Sequence, residues 1–307
     1  MITWPDGKRF AFTVFDDADS QSVVNGAPVY DLLTDLGLRT TKSVWPIRGR
    51  QRPSDHGETC DEPHHADWVK DLQRLGFEIG FHMATSHTSA RADTLDALNR
   101  FRDLFGHPPR TMANHYNCDE NVYFGSARVS GVRRIVYNLL TGFANHRRFV
   151  GHVPGQPLFW GDACRTHVTY VRNFVFGDVN TLRACPWMPY HDPERPFVNY
   201  WFASSEGANV ASFNERIAEA NQDRLEEEEG ACIMYTHFGL GFCEDGRLNP
   251  RFRRLMERLA RKRGWFVPVA TLLDHLLATR GRVEISAAQR TALEWRWLRH
   301  KLRQRTA

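Results

Sequence analysis

The sequence has no CxxC pair, no long hydrophobic run and no repeat of fixed period. Six cysteines (Cys60, Cys118, Cys164, Cys185, Cys232 and Cys243) are scattered through 307 residues. That spacing argues against a disulfide framework or a structural zinc knuckle, and a reducing cytoplasm is the expected location. No stretch approaches the roughly 20 apolar residues of a membrane-spanning helix. The opening residues, MITWPDGKRFAFTVFDDAD, bring in acidic groups at once and lack the charged-then-apolar order of a secretory leader. Basic residues form no recognised nucleic-acid module, so no nucleic-acid partner is expected. A net charge of +4 is too small to name a partner by itself.

What is present is the composition of an ordinary globular protein, 42% hydrophobic and 25% charged, in a chain long enough to bury a core without staples. Short apolar runs alternate with helical patterns from end to end, which predicts an α/β fold. Strands are expected at 10–15, 41–45, 77–81, 110–113, 134–137, 231–236 and 265–267. Helices are expected at 28–36, 66–75, 94–105, 210–228 and 250–263. Residues 138–208, rich in Pro, Gly and aromatics, read as later strands carrying long loops. Seven or so strand–helix units suggest a barrel-like domain over residues 1–280, with residues 281–307 forming an added helix.

Three segments carry chemistry. In Phe15-Asp-Asp-Ala-Asp19, adjacent carboxylates follow an apolar strand, where barrel folds place their active sites; a helix-capping turn is the plainer alternative. In Glu78-Ile-Gly-Phe-His-Met-Ala-Thr-Ser-His87, His82 ends a second apolar strand and His87 follows five residues later. Imidazole and carboxylate are suitable ligands for zinc and neighbouring divalent metals. In Cys232-Ile-Met-Tyr-Thr-His-Phe-Gly239, His237 ends a third strand before glycines that permit close backbone approach. With fourteen histidines, any one spacing arises by chance. Three strand-end positions together are harder to dismiss.

The arrangement resembles the polysaccharide deacetylase family, also called the NodB-homology domain. FDDAD resembles its TFDDG motif, EIGFHMATSH its EIGxHxxxH motif, and CIMYTHFG its late strand ending in histidine. The likeness spans roughly residues 9–277. It implies an irregular (β/α)7 barrel with a divalent metal at the strands' C-terminal ends: zinc first, with cobalt, nickel or manganese as alternatives. It also implies Asp16 as general base, Asp17, His82 and His87 as metal ligands, and His237 as general acid. The implied activity is removal of an acetyl or formyl group from an N-acylated sugar or glycan precursor.

Two departures stand out. His87 lies one position beyond the family spacing, and Ala113 stands where the family's RxPY arginine is expected. Asn114, His115 and Tyr116 occupy that strand end and are expected to contact substrate or orient Asp16. Asp162, Arg172 and Asp178 are candidates for the residue that tunes the catalytic histidine. Trp160, Trp187, Tyr190, Tyr200 and Trp201 are candidates for stacking on a sugar. The departures keep two alternatives open: a hydrolase of a non-sugar linear or cyclic amide, metal-dependent or not, and a non-catalytic carbohydrate-binding protein. Beyond Ser286, six Arg or Lys residues face one acid, Glu294, and Ala288, Ala292, Trp295, Leu298 and Leu302 fall on one helical stripe. That helix is expected to pack on the body or on a second copy of the chain, or to rest on anionic lipid.

Overall fold

The computed structural model describes residues 2–53 and 55–304. Twelve strands are present among these residues: β1 (Phe10–Asp16), β2 (Thr41–Val44), β3 (Glu78–Phe81), β4 (Thr111–Met112), β5 (Tyr170–Phe176), β6 (Tyr190–His191), β7 (Tyr200–Glu206), β8 (Ala231–Thr236), β9 (Cys243–Glu244), β10 (Arg247–Leu248), β11 (Gly264–Phe266) and β12 (Val283–Glu284). Around them run α1 (Val23–Asp35), α2 (Pro63–Arg74), α3 (Arg91–Phe105), α4 (Gly131–Leu140), α5 (Gly161–His167), α6 (Thr181–Ala184), α7 (Val210–Arg216), α8 (Glu219–Glu227), α9 (Pro250–Ala260), α10 (Val269–Arg280) and α11 (Ala287–Gln304).

Seven parallel strands close on themselves in the order β1-β2-β3-β4-β5-β7-β8, with β8 pairing back to β1. Every residue of β1 is buried, as expected for a strand covered on both faces. β2 meets β1 only at Phe15 and Asp16; β11 fills the rest of that seam through Phe10–Phe12. The expected α/β barrel is therefore the observed architecture. Helices cover it with apolar stripes such as Phe252, Leu255, Met256 and Leu259 of α9, whose first turn is capped by Asn249 accepting from Arg251 N and Phe252 N.

Local patterning misled in two places. The apolar run at 134–137, expected as a strand, lies inside α4. Its N-terminal Ser130 gives both its backbone N–H and its hydroxyl to Glu294, a partner 164 residues away. The long helix expected at 210–228 breaks at Ile217 and Ala218 into α7 and α8. The region 138–208, expected as later strands carrying long loops, holds two full barrel strands, β5 and β7.

α11 packs on α4 and β5. Its buried face is Arg290, Leu293, Glu294, Trp297 and Leu298, while Ala288, Ala292 and Leu302 of the expected stripe are exposed. Burial of two charged residues rotates the face away from the apolar reading. The Glu294 carboxylate accepts from Arg133 and Arg195, and Asp192 accepts from Arg195 and Arg290. Residues 305–307 of the expected 281–307 segment lie outside the described residues.

Candidate active site

Parallel pairing brings the chemistry to one end of the barrel. Asp16 lies in register with Thr236 of β8, and Phe81 of β3 with Met112 of β4. The residues that follow these strand ends are tied across: Asp17 N donates to Thr236 O (2.8 Å), His82 N to Val44 O (3.0 Å) and Ala113 N to Phe81 O (3.0 Å). Two residues beside the site, Ser20 and Met83, hold left-handed backbone (φ 57° and 65°), uncommon for side-chain-bearing residues, which turns the chain away after Asp19 and His82.

Three buried side chains meet there. His82 Nε2 lies 2.9 Å from Asp19 Oδ2, and His115 Nε2 lies 2.9 Å from Asp19 Oδ1. Burial would raise the Asp19 pKa, but the two imidazoles hold it well below the usual carboxylate range. Burial opposes a charge on His115, yet its bonds to Asp19 and Asp55 carry its pKa up to about 9. Trp45 braces both rings, stacked on His82 (5.9 Å between centroids, 28°) and edge-on to His115 (5.6 Å). Two imidazole nitrogens and a carboxylate oxygen, all within 4.8 Å of one another, fit a divalent ion by donor type and spacing.

Asp17 stands beside this triad in a bidentate pair with Arg172 of β5 (Nη1–Oδ1 2.9 Å, Nη2–Oδ2 2.5 Å). The guanidinium also lies over the Tyr235 ring, 4.4 Å from its centroid. His237 donates from Nδ1 to the Ala208 carbonyl (2.7 Å). Its Nε2 is left 3.9 Å from Asp17 Oδ2, 3.7 Å from Asp19 Oδ2 and 3.3 Å from the Tyr235 hydroxyl. Gly239 approaches the backbone of the β1 loop rather than a ligand; a Cβ there would lie 2.4 Å from Ser20 O.

Several expected residues lie elsewhere. Asp16, expected as general base, turns away from the cleft toward α1: its carboxylate accepts from Gln21 Nε2 (3.0 Å), Tyr30 OH (2.8 Å) and Phe238 N (2.8 Å). Burial pushes its pKa up, against buried Lys42 nearby. His87, expected as a metal ligand, does not line the cleft; its Nδ1 donates to Thr88 O, and its Nε2 faces Gly49. Asn114 lines the cleft but spends its amide on both backbone groups of Val122. Tyr116 sits exposed on the cleft wall. Of the candidates for tuning, Arg172 reaches the site, while Asp162 and Asp178 pair with Arg91 and Arg183 at the surface. None of Trp160, Trp187, Tyr190, Tyr200 and Trp201 lines the cleft; all pack in or against the core.

The cleft measures about 380 Å³. One wall is the strand-end cluster of Asp17, Asp19, His82, His115, Arg172 and His237. The other comes from the segment 124–149 and from Trp297 and Lys301 of α11. Asp19 and the α11 residues carried no role in the site from sequence; the third carboxylate of FDDAD was the signal available for Asp19.

No family model and no curated protein matches the sequence. Among solved structures, a Mycobacterium smegmatis protein assigned as a polysaccharide deacetylase matches at 14% identity and TM-score 0.54, covering 93% of this chain and 96% of that one. The PuuE allantoinase matches at 13% identity and TM-score 0.51, covering 90% and 93%. At such identities the likeness is one of architecture: the chain has the barrel fold that these two proteins share.

Proposed function

We propose that the chain is a metal-dependent amide hydrolase that removes an acetyl or formyl group from an N-acylated sugar or glycan precursor. The observation that carries this reading is the meeting, in one cleft, of the Asp19–His82–His115 triad, the Asp17–Arg172 pair and the Nε2 of His237, which faces Asp17, Asp19 and the Tyr235 hydroxyl. Asp19, His82 and His115 would hold the ion, zinc by donor type. A divalent ion there supplies Lewis-acid polarisation of the amide carbonyl.

The remaining chemistry belongs to the chain. Asp17, held by both arms of Arg172, keeps lone pairs free to take the proton of the attacking water. His237 holds one proton at Nδ1 against Ala208 O, so its second proton at Nε2 is the one handed to the departing amine. Asp16, locked by three donors, supports the loop from below. The fold shared with an allantoinase supports a second reading, hydrolysis of a non-sugar amide, linear or cyclic. A purely carbohydrate-binding protein has no use for a proton donor and acceptor on either side of a metal triad.

The test is acetate release from N-acetylchitooligosaccharides and UDP-N-acetylglucosamine by wild type, Asp17→Asn and His237→Ala. Each substitution is expected to lower turnover by ~10²–10⁴ while the thermal transition is retained. Wild-type turnover in either variant would sink the role given to that residue, and turnover indifferent to chelator would favour the metal-independent alternative.

A further inference from the structure

Of the Arg and Lys side chains that line the cleft, all but one face a carboxylate. Arg148 is paired with Asp119 (Nε–Oδ1, 2.7 Å), Arg172 with Asp17, and Lys301 feels the charge of Glu206. Arg128 is the exception. Among the described residues its guanidinium has no hydrogen bond or ion pair, and its Nε is buried without a partner. It lies over the Phe124 ring, 3.9 Å from the centroid, and 5.6 Å from that of Trp297.

An aromatic face attracts a cation but satisfies none of the five in-plane N–H donors of a guanidinium. Burial pushes the Arg128 pKa down to about 10, which still leaves it charged at neutral pH. A half-buried charge with a sealed, unused donor, opening on a cleft, is costly until an anion with matching acceptors arrives. Phosphate fits best: two of its oxygens match the guanidinium fork, and the cations of Arg148 and Lys301 line the same wall.

We propose that Arg128, with Lys301 and Arg148 beside it, binds a phosphate group carried by the substrate, so that the acylated molecule enters the cleft as a phosphorylated species. The phosphate site stands on the geometry of Arg128 alone; only its link to an acylated sugar rests on the proposed hydrolase reading.

The experiment is calorimetric titration of inorganic phosphate into the full chain after chelator treatment, so that no bound metal contributes. Wild type is expected to bind, Arg128→Met to bind roughly tenfold more weakly or worse, and Arg128→Lys to fall between, since lysine keeps the charge but loses the fork. Thermal melts verify the fold of each variant, and Arg128→Lys keeps the comparison available should the methionine variant unfold. Equal binding by wild type and Arg128→Met, or no binding by wild type, overturns the proposal. N-acetylglucosamine 1-phosphate, set against phosphatidylcholine vesicles with and without phosphatidic acid, separates a soluble phosphate from a lipid-borne one. Arg128-dependent binding of either supports the site, and of neither overturns it. Because the metal is absent, these outcomes are independent of whether the cleft hydrolyses an amide.

Discussion

Asp16 and Asp17 are neighbours in sequence and opposites in environment. Successive residues of an extended strand face opposite ways, so one carboxylate turns toward α1 and the other enters the cleft. The motif marks an acidic cluster but not the phase of the alternation, which depends on where β1 ends. The cleft holds Asp17 and Asp19, whereas the resemblance singles out Asp16 and Asp17. Asp16→Asn and Asp17→Asn should therefore behave differently. The first removes an acceptor that serves three donors and the charge facing Lys42. It is expected to lose about 1–3 kcal/mol of stability in urea unfolding. The second should unfold near the wild-type midpoint and lose turnover. Equal stability for the two would mean that the buried Asp16 bonds matter less than their geometry implies.

At the scale of elements, α11 shows what local pattern cannot reveal. Glu294 is the one acid of a basic helix, and it is fully buried among Arg133, Arg195 and Ser130. The partners come from residues 130–133 and 195, so no window of sequence around Glu294 contains them. Glu294→Ala strands Arg195 without one of its two carboxylates and is expected to cost about 3–5 kcal/mol, read as a lowered urea midpoint.

Asp192, bonded to Arg195 and Arg290, adds a pH signature. Burial opposes its ionisation, but the two guanidinium groups hold its pKa below the ordinary value. A depressed folded pKa stabilises above the unfolded value and is lost as pH falls through the folded one. The stability difference between wild type and Asp192→Asn should thus be full at neutral pH and shrink below about pH 4. A difference constant down to pH 2 would contradict this.

For the whole molecule, the barrel was legible because strands buried on both faces leave unbroken apolar runs, and the register of those runs sets the site. Each motif marked a strand end that the ring of parallel strands brings to one rim. The partners across the cleft were not legible, because they depend on closure of the ring. Arg172 reaches Asp17 from β5, which lies in the region where the pattern is least regular. His115 reaches Asp19 from the loop after β4, where the arginine of the family pattern was sought. Trp297 and Lys301 reach the cleft from a helix expected to be an addition to the barrel. None of the described helices is long and apolar enough to cross a membrane.

The most direct test of the account is anomalous X-ray diffraction from zinc-soaked crystals, collected on both sides of the zinc absorption edge. The account predicts one strong peak bounded by Asp19 and the Nε2 atoms of His82 and His115, lost in His115→Ala and kept in His87→Ala. A peak bounded by His87, or its persistence without His115, would contradict it.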